Sequence, residues 1–136
     1  MSIVFKSGIF ILVILLSGCI KSPRYDTLKI GEISELKEKT PSTNDTYDLS
    51  LTAEKVEESR CPKGAECIWA GTATVSFRLI TKQGTYNFDL DTNEESRFIQ
   101  DTVIENFRYK LVDVKPYPEV NKVINQKYIY VRVTKE

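Results

Sequence analysis

Glu57-Glu58-Ser59-Arg60-Cys61-Pro62-Lys63-Gly64-Ala65-Glu66-Cys67-Ile68-Trp69-Ala70-Gly71 holds two of the three cysteines and the only tryptophan of a 136-residue chain. A proline and a glycine lie between the cysteines and favour a tight reversal, so the stretch reads as a turn that a disulfide could staple. Directly after it, Ala73, Val75, Phe77 and Leu79 alternate with Thr72, Thr74, Ser76 and Arg78. Period-two alternation of this kind is a strand with one buried face. The turn therefore feeds a strand, and the rest of the chain should supply that strand's partners.

Working outward, Lys82-Gln83-Gly84 reads as a turn, and Tyr86, Phe88 and Leu90 as the antiparallel partner. Upstream, Tyr47, Leu49 and Leu51 alternate, with a phase slip between Ala53 and Val56 that predicts a bulge or a break in the strand. Phe107, Tyr109 and Leu111 alternate, and Val112 and Val114 then shift phase, a second bulge, before Pro116-Tyr117-Pro118 stops the strand. Ile129, Val131 and Val133 give a terminal strand after a loop over 121–126. Near the start, Thr27 to Glu32 alternates as a first strand. A helical turn could follow at 33–39, and the polar cluster from Lys37 to Asp45 reads as a loop. Asp91 to Ser96 reads as another polar loop, and Phe98 to Ile104 as a short strand or an irregular edge. Six or seven short strands without a helical stripe predict an all-β domain: an antiparallel β-sandwich, immunoglobulin-like, or a small β-barrel.

The chain is long enough for one core and too short for two. Lys and Arg number 19 and Asp and Glu number 19, with no basic block, which speaks against nucleic acid as a partner. Residues 1–18 follow a different logic. Lys6 is their only charge, Gly8 to Leu16 is an apolar core, and Ser17-Gly18 are small residues at a cleavage point, as in a secretory signal peptide. The apolar run is short for a membrane span, which needs about 20 residues. Leu16-Ser17-Gly18-Cys19 resembles the lipobox of bacterial lipoproteins. That resemblance implies diacylglycerol on Cys19, cleavage before it, a tether over 19–25, and a β-domain over 26–136. It implies a lipid anchor in the cell membrane or outer membrane, with the domain facing the periplasm or exterior.

Ser59-Arg60-Cys61-Pro62 and Cys67-Ile68-Trp69-Ala70-Gly71 together resemble the mark of a group of small secreted or lipid-anchored bacterial proteins. Leu28-Lys29-Ile30-Gly31-Glu32 and Leu111 to Pro118 fit the same pattern. One departure is Glu58, where the pattern has Asp. The resemblance implies fold and address, and implies no activity.

Export places Cys61 and Cys67 outside the reducing cytosol, so they should pair; a closed loop of this length stabilises by about 2 kcal/mol. A redox role lacks the Cys-x-x-Cys spacing. Zinc lacks ligands, since the chain has no histidine, and no cofactor is expected. Absence of histidine also removes Ser-His and Cys-His dyads. Glu54, Glu57, Glu58 and Glu66 could pair as acid and base, against the simpler reading of a solvated acidic edge, and Arg60 could simply bridge Glu58 to fix the turn. Asp89-x-Asp91-x-Asn93 opens like a calcium loop, but Glu94 replaces the glycine and Gln100 the closing glutamate, which leaves a polar connection. Trp69 beside a disulfide should pack in the core, and its alternative is a binding platform with Tyr86, Tyr109, Tyr117, Tyr128 and Tyr130.

Two classes of function follow. The first is a non-enzymatic, membrane-anchored module binding a protein or envelope ligand, with Glu58, Arg60, Pro62, Lys63 and Trp69 as candidate binding or turn residues. Its variant is a protease inhibitor presenting the Cys61–Cys67 turn. The second is a carboxylate-based hydrolase.

Overall fold

The computed structural model describes residues 26–93 and 99–136. The signal peptide, Cys19 and its tether lie outside the described residues, as do Glu94 and Phe98. Nine strands form two sheets: β1 (Asp26–Thr27), β2 (Ile33–Lys37), β3 (Pro41–Asn44), β4 (Leu49–Glu58), β5 (Ala73–Ile80), β6 (Thr85–Asp91), β7 (Asp101–Ile104), β8 (Phe107–Lys115) and β9 (Tyr128–Lys135). One sheet runs β1-β3-β4-β5-β6 and the other β2-β9-β8-β7. All pairings are antiparallel except β1 with β3. The protein is a small β-sandwich.

Alternation carries the packing. Ala73, Val75, Phe77 and Leu79 of β5 are all buried and meet Leu49, Leu51 and Ala53 of β4 in one core, opposite Tyr109, Leu111, Val114, Ile129, Val131 and Val133 of the other sheet. Phe77 stacks on Phe88, which in turn contacts Tyr109 across the sheets, at ring separations of 5.5 and 5.7 Å. Both expected bulges are present. The β4–β5 register shifts between Ala53 and Lys55, and the β8–β9 register shifts between Leu111 and Asp113.

The N-terminal part departs from its sequence reading. Only Asp26 and Thr27 are strand; the chain then changes sheets through Gly31, at φ +86°, where Ile30 bridges Val133. The expected helical turn is strand β2, because Ser34 and Leu36 are buried at period two. The expected loop around Pro41 is strand β3, paired with β4 over Pro41–Thr52 to Asn44–Leu49. Its proline sits at the strand's first position, where a missing N–H is tolerated. Likewise β6 continues through Asp91, so Asp89 and Asp91 lie on an extended strand and not in a loop.

Two longer described connections, 59–72 and 116–127, leave strands β4 and β8 at one end of the sandwich, where β6 also ends. The turns at 45–48, 81–84 and 105–106 close the other end.

Candidate functional site

The stapled stretch is a hairpin that prolongs β4 and β5. Beyond Glu58 and Ala73 the ladder continues: Ser59 N donates to Thr72 O at 2.8 Å and Cys61 N to Ala70 O at 2.8 Å. Gly71 makes this possible. Its φ is +68°, and a Cβ there would lie 1.8 Å from the carbonyl oxygen of Ser59, inside the ladder. Above that level Cys61 and Cys67 are joined, with Cα atoms 5.9 Å apart. Pro62 O accepts from Ala65 N at 3.1 Å with Gly64 at φ +88°, so the turn between the cysteines closes on a glycine in the left-handed region.

The other sheet pins the turn. Lys63 N donates to Pro118 O at 2.9 Å and Val120 N to Lys63 O at 3.0 Å, a parallel bridge between the two connections. Below it lies a buried ionic cluster. Arg60, 8% exposed, sends Nε and Nη2 to the two oxygens of Glu58, each at 2.7 Å. Lys127 Nζ reaches Glu58 at 3.2 Å and Arg60 Nη1 lies 3.5 Å from Asp113. The guanidinium stacks 4.5 Å from the ring centre of Tyr117, and the Lys63 ammonium lies 5.8 Å from the same ring. Burial pushes the Glu58 carboxyl up, but the hydrogen bonds and charges of Arg60 and Lys127 outweigh it and hold the group below its ordinary range. Burial likewise lowers Arg60, and Glu58 and Asp113 more than restore it. Two acids and two bases thus neutralise one another where the sheets meet. A bidentate Arg–carboxylate pair is the geometry that tolerates such burial best.

An open cleft of about 780 Å³ runs beside this cluster, lined by Arg60, Gly71, Asn93, Gln100, Asp113 and Tyr117. Gln100 Nε2 donates to Thr92 O at 3.1 Å, and Thr92 Oγ1 accepts from Ala73 N at 3.0 Å, which ties the cleft's far wall to the base of the hairpin.

Of the expected site residues, Cys61, Cys67, Glu58, Arg60, Pro62 and Lys63 share one compact unit. Trp69 does not pack in the core. It stands 76% exposed beside Ile68, at 93%, because the hairpin carries it beyond the last residues of the sandwich. The tyrosine platform is also not assembled: Tyr109 is buried in the core, Tyr117 lies under Arg60, and Tyr130 donates to Glu35 on the outer face of the second sheet. The four acidic residues of the stretch do not converge on a shared cleft. Glu54 pairs with Arg78 and Glu57 with Lys55, Glu58 is held by Arg60 and Lys127, and Glu66 is exposed in the turn between the cysteines. Among the described residues no three metal-ligating side chains cluster, and no helix is long and apolar enough to cross a membrane.

Asp113 and Lys127 carry no site role in the sequence reading, and Tyr117, expected only as part of an aromatic platform, instead lies under Arg60. The local signals nearest to Asp113 and Tyr117 are the bulge at Val112 and the Pro-Tyr-Pro strand stop that flank them. Lys127 carried no local signal: it meets Glu58 across 69 residues of chain.

Set against protein-family models, curated proteins and solved structures, the chain matches none of them.

Proposed function

We propose that this protein is a lipid-anchored bacterial envelope protein whose β-domain is a non-enzymatic binding module, and that its binding surface is the stapled end. The observation that carries the reading is the hairpin tip. Residues 63–70 are all exposed, including two large apolar side chains, on a segment held by a disulfide, an extended ladder and a buried ion cluster. Exposed apolar groups on a rigid support lose little conformational freedom on contact, which is what a binding surface needs. The separate pairing of Glu54, Glu57 and Glu58 speaks against the carboxylate-hydrolase alternative, in which two carboxyls of this stretch would face one substrate as acid and base. The anchor rests on Leu16-Ser17-Gly18-Cys19 after an apolar leader.

Mass spectrometry of the mature protein should show a chain that begins at acylated Cys19, and an unmodified Cys19 recovered from membranes would overturn the anchor. For the surface, a photo-crosslinking residue at Ile68 should capture envelope components in cells, while the same residue at Lys82 on the opposite turn should not. Equal capture at both positions would refute the assignment.

The protrusion of the stapled turn also favours the protease-inhibitor variant. That variant requires residues 62–66 to occupy an enzyme's active site, so it predicts stoichiometric inhibition that is lost when Lys63 and Glu66 are both replaced by alanine. Slow cleavage without inhibition would count against it.

A further inference from the structure

Resting on the lipid-anchored reading, we infer that the surface met by the stapled end is the bilayer that holds the anchor, with Ile68, Trp69 and Val123 seated at its interface. Three independent observations converge on this. First, Ile68, Val123 and Trp69, at 93%, 84% and 76% exposure, are the most exposed large apolar side chains among the described residues, and all three lie at this end. They sit on two connections that the Lys63–Glu119 bridge fastens together, with Val120 3.8 Å from the position a Cβ on Gly64 would take.

Second, the chain arrives from that side. Strand β4 runs toward the stapled end, β3 is antiparallel to β4, and β1 is parallel to β3. Strand β1 therefore runs away from the stapled end, and whatever precedes Asp26 approaches from it. Asp26 stands level with Ser42 and Leu51. From Leu51 to Glu58 the strand rises about 20 Å, allowing for the bulge. The segment from Cys19 to Asp26 can span at most about 25 Å. The ladder through Cys61 and Ala70 carries the hairpin about 10 Å further, so an acylated Cys19 reaches past the hairpin's base but not past its tip, and the tip cannot stand clear of the bilayer on that side. A reversal of the tether would instead present the opposite turns, whose tips carry Asp45, Asp48, Lys82, Gln83 and Asn106.

Third, the charges suit a neutral interface. Lys63 and Glu66 on one loop, and Glu119 and Lys122 on the other, balance in sign, and the latter two pair at 3.3 Å. Contact is then made by tryptophan and aliphatic side chains at headgroup depth and not by attraction to anionic lipid.

Trp69 is the only tryptophan, so it reports its own environment. The mature chain from Cys19 to Glu136, with its disulfide intact, is coupled through the Cys19 thiol to a maleimide lipid in phosphatidylcholine vesicles, which preserves the tether whether or not cells acylate it. Tryptophan emission should move to shorter wavelength on coupling and be quenched by lipids brominated on the upper acyl chain. Adding anionic lipid should not increase the quenching. An Ile68→Asp/Val123→Asp variant, folded by circular dichroism, should lose most of both effects. Emission that stays at its solution wavelength without bromolipid quenching would overturn the docking, and so would quenching unaltered in the variant. If that happens while Cys19 from cells is acylated, the anchor stands and docking alone falls. A protein adduct at Ile68 in cells, with Trp69 unquenched on vesicles, would assign the tip to a protein partner instead.

Discussion

At one end of the sandwich the strands turn back within a few residues; at the other, they run on into long connections that have to be held by chemistry of their own. Thr81 to Gly84 joins β5 and β6, with Thr81 Oγ1 accepting from Gln83 N and Gly84 N at 3.0 and 3.2 Å. Glu105 and Asn106, at φ 49° and 64°, join β7 and β8 in a two-residue turn with both centres in the left-handed region, which matches the twist of a hairpin. One hydroxyl–carboxylate bond, Thr81 to Glu105 at 2.7 Å, links these turns. The stapled end uses a disulfide, backbone bonds between loops, and four buried or half-buried charges. Short turns are specified locally and need little else. Long loops become rigid only when tertiary contacts offset the entropy of ordering them.

The comparison breaks most visibly if the ionic cluster is cut. Arg60→Ala leaves the largely buried Glu58 with Lys127 as its one charged partner and the residue-60 N–H as a weak donor, and removal of one partner from a buried pair costs about 3–5 kcal/mol. Denaturant titration should show a loss of unfolding free energy of that size, and a loss comparable to that of a surface pair would mean the cluster is wet and dispensable. Next comes the backbone. Gly71→Ala forces a methyl into the Ser59 carbonyl at an unfavourable φ and should cost roughly 2–3 kcal/mol. Gly84→Ala, with nothing within 4 Å, should stay within about 0.5 kcal/mol. Similar losses at both glycines would erase the contrast between the ends.

Replacing Cys61 and Cys67 by serine should lower stability by about 2 kcal/mol and leave the β-spectrum recognisable. Thiol-exchange activity in the intact protein that the double variant lacks would instead make the pair redox-active. Acid should loosen the same end in a graded way. Because the Glu58 carboxyl is held low in the folded state, the unfolded chain takes up its proton first. The resulting stabilisation is complete above the unfolded value of about 4.3 and is lost as pH falls through the folded one. Glu58→Gln should therefore flatten the fall in stability below about pH 4, and an unchanged slope would remove Glu58 from the account. The smallest effect belongs to the opposite end: Lys82→Ala, which breaks an exposed pair with Asp48, should change stability by less than about 0.5 kcal/mol.

The sequence by itself determined the elements whose signals are local. The period-two runs of β5, β6, β8 and β9, the two bulges, the turn at Lys82-Gln83-Gly84 and the pairing of two cysteines six residues apart all follow from neighbouring side chains and short-range geometry. It also brought Glu58 and Arg60 together, because alternate residues at a strand's end share a face. Only the tertiary structure decided the rest. Pro41–Asn44 is polar and proline-led, and it is a strand because β4 offers it a free edge. Asp113, Tyr117 and Lys127 reach Arg60 and Glu58 because the second sheet packs over the first, a contact between residues far apart in the chain that no local pattern encodes. Trp69 shows the limit most clearly. Its chemistry favours burial, but the length of the stapled hairpin, fixed by the ladder through Cys61 and Ala70, carries it past the point where there is any core to enter.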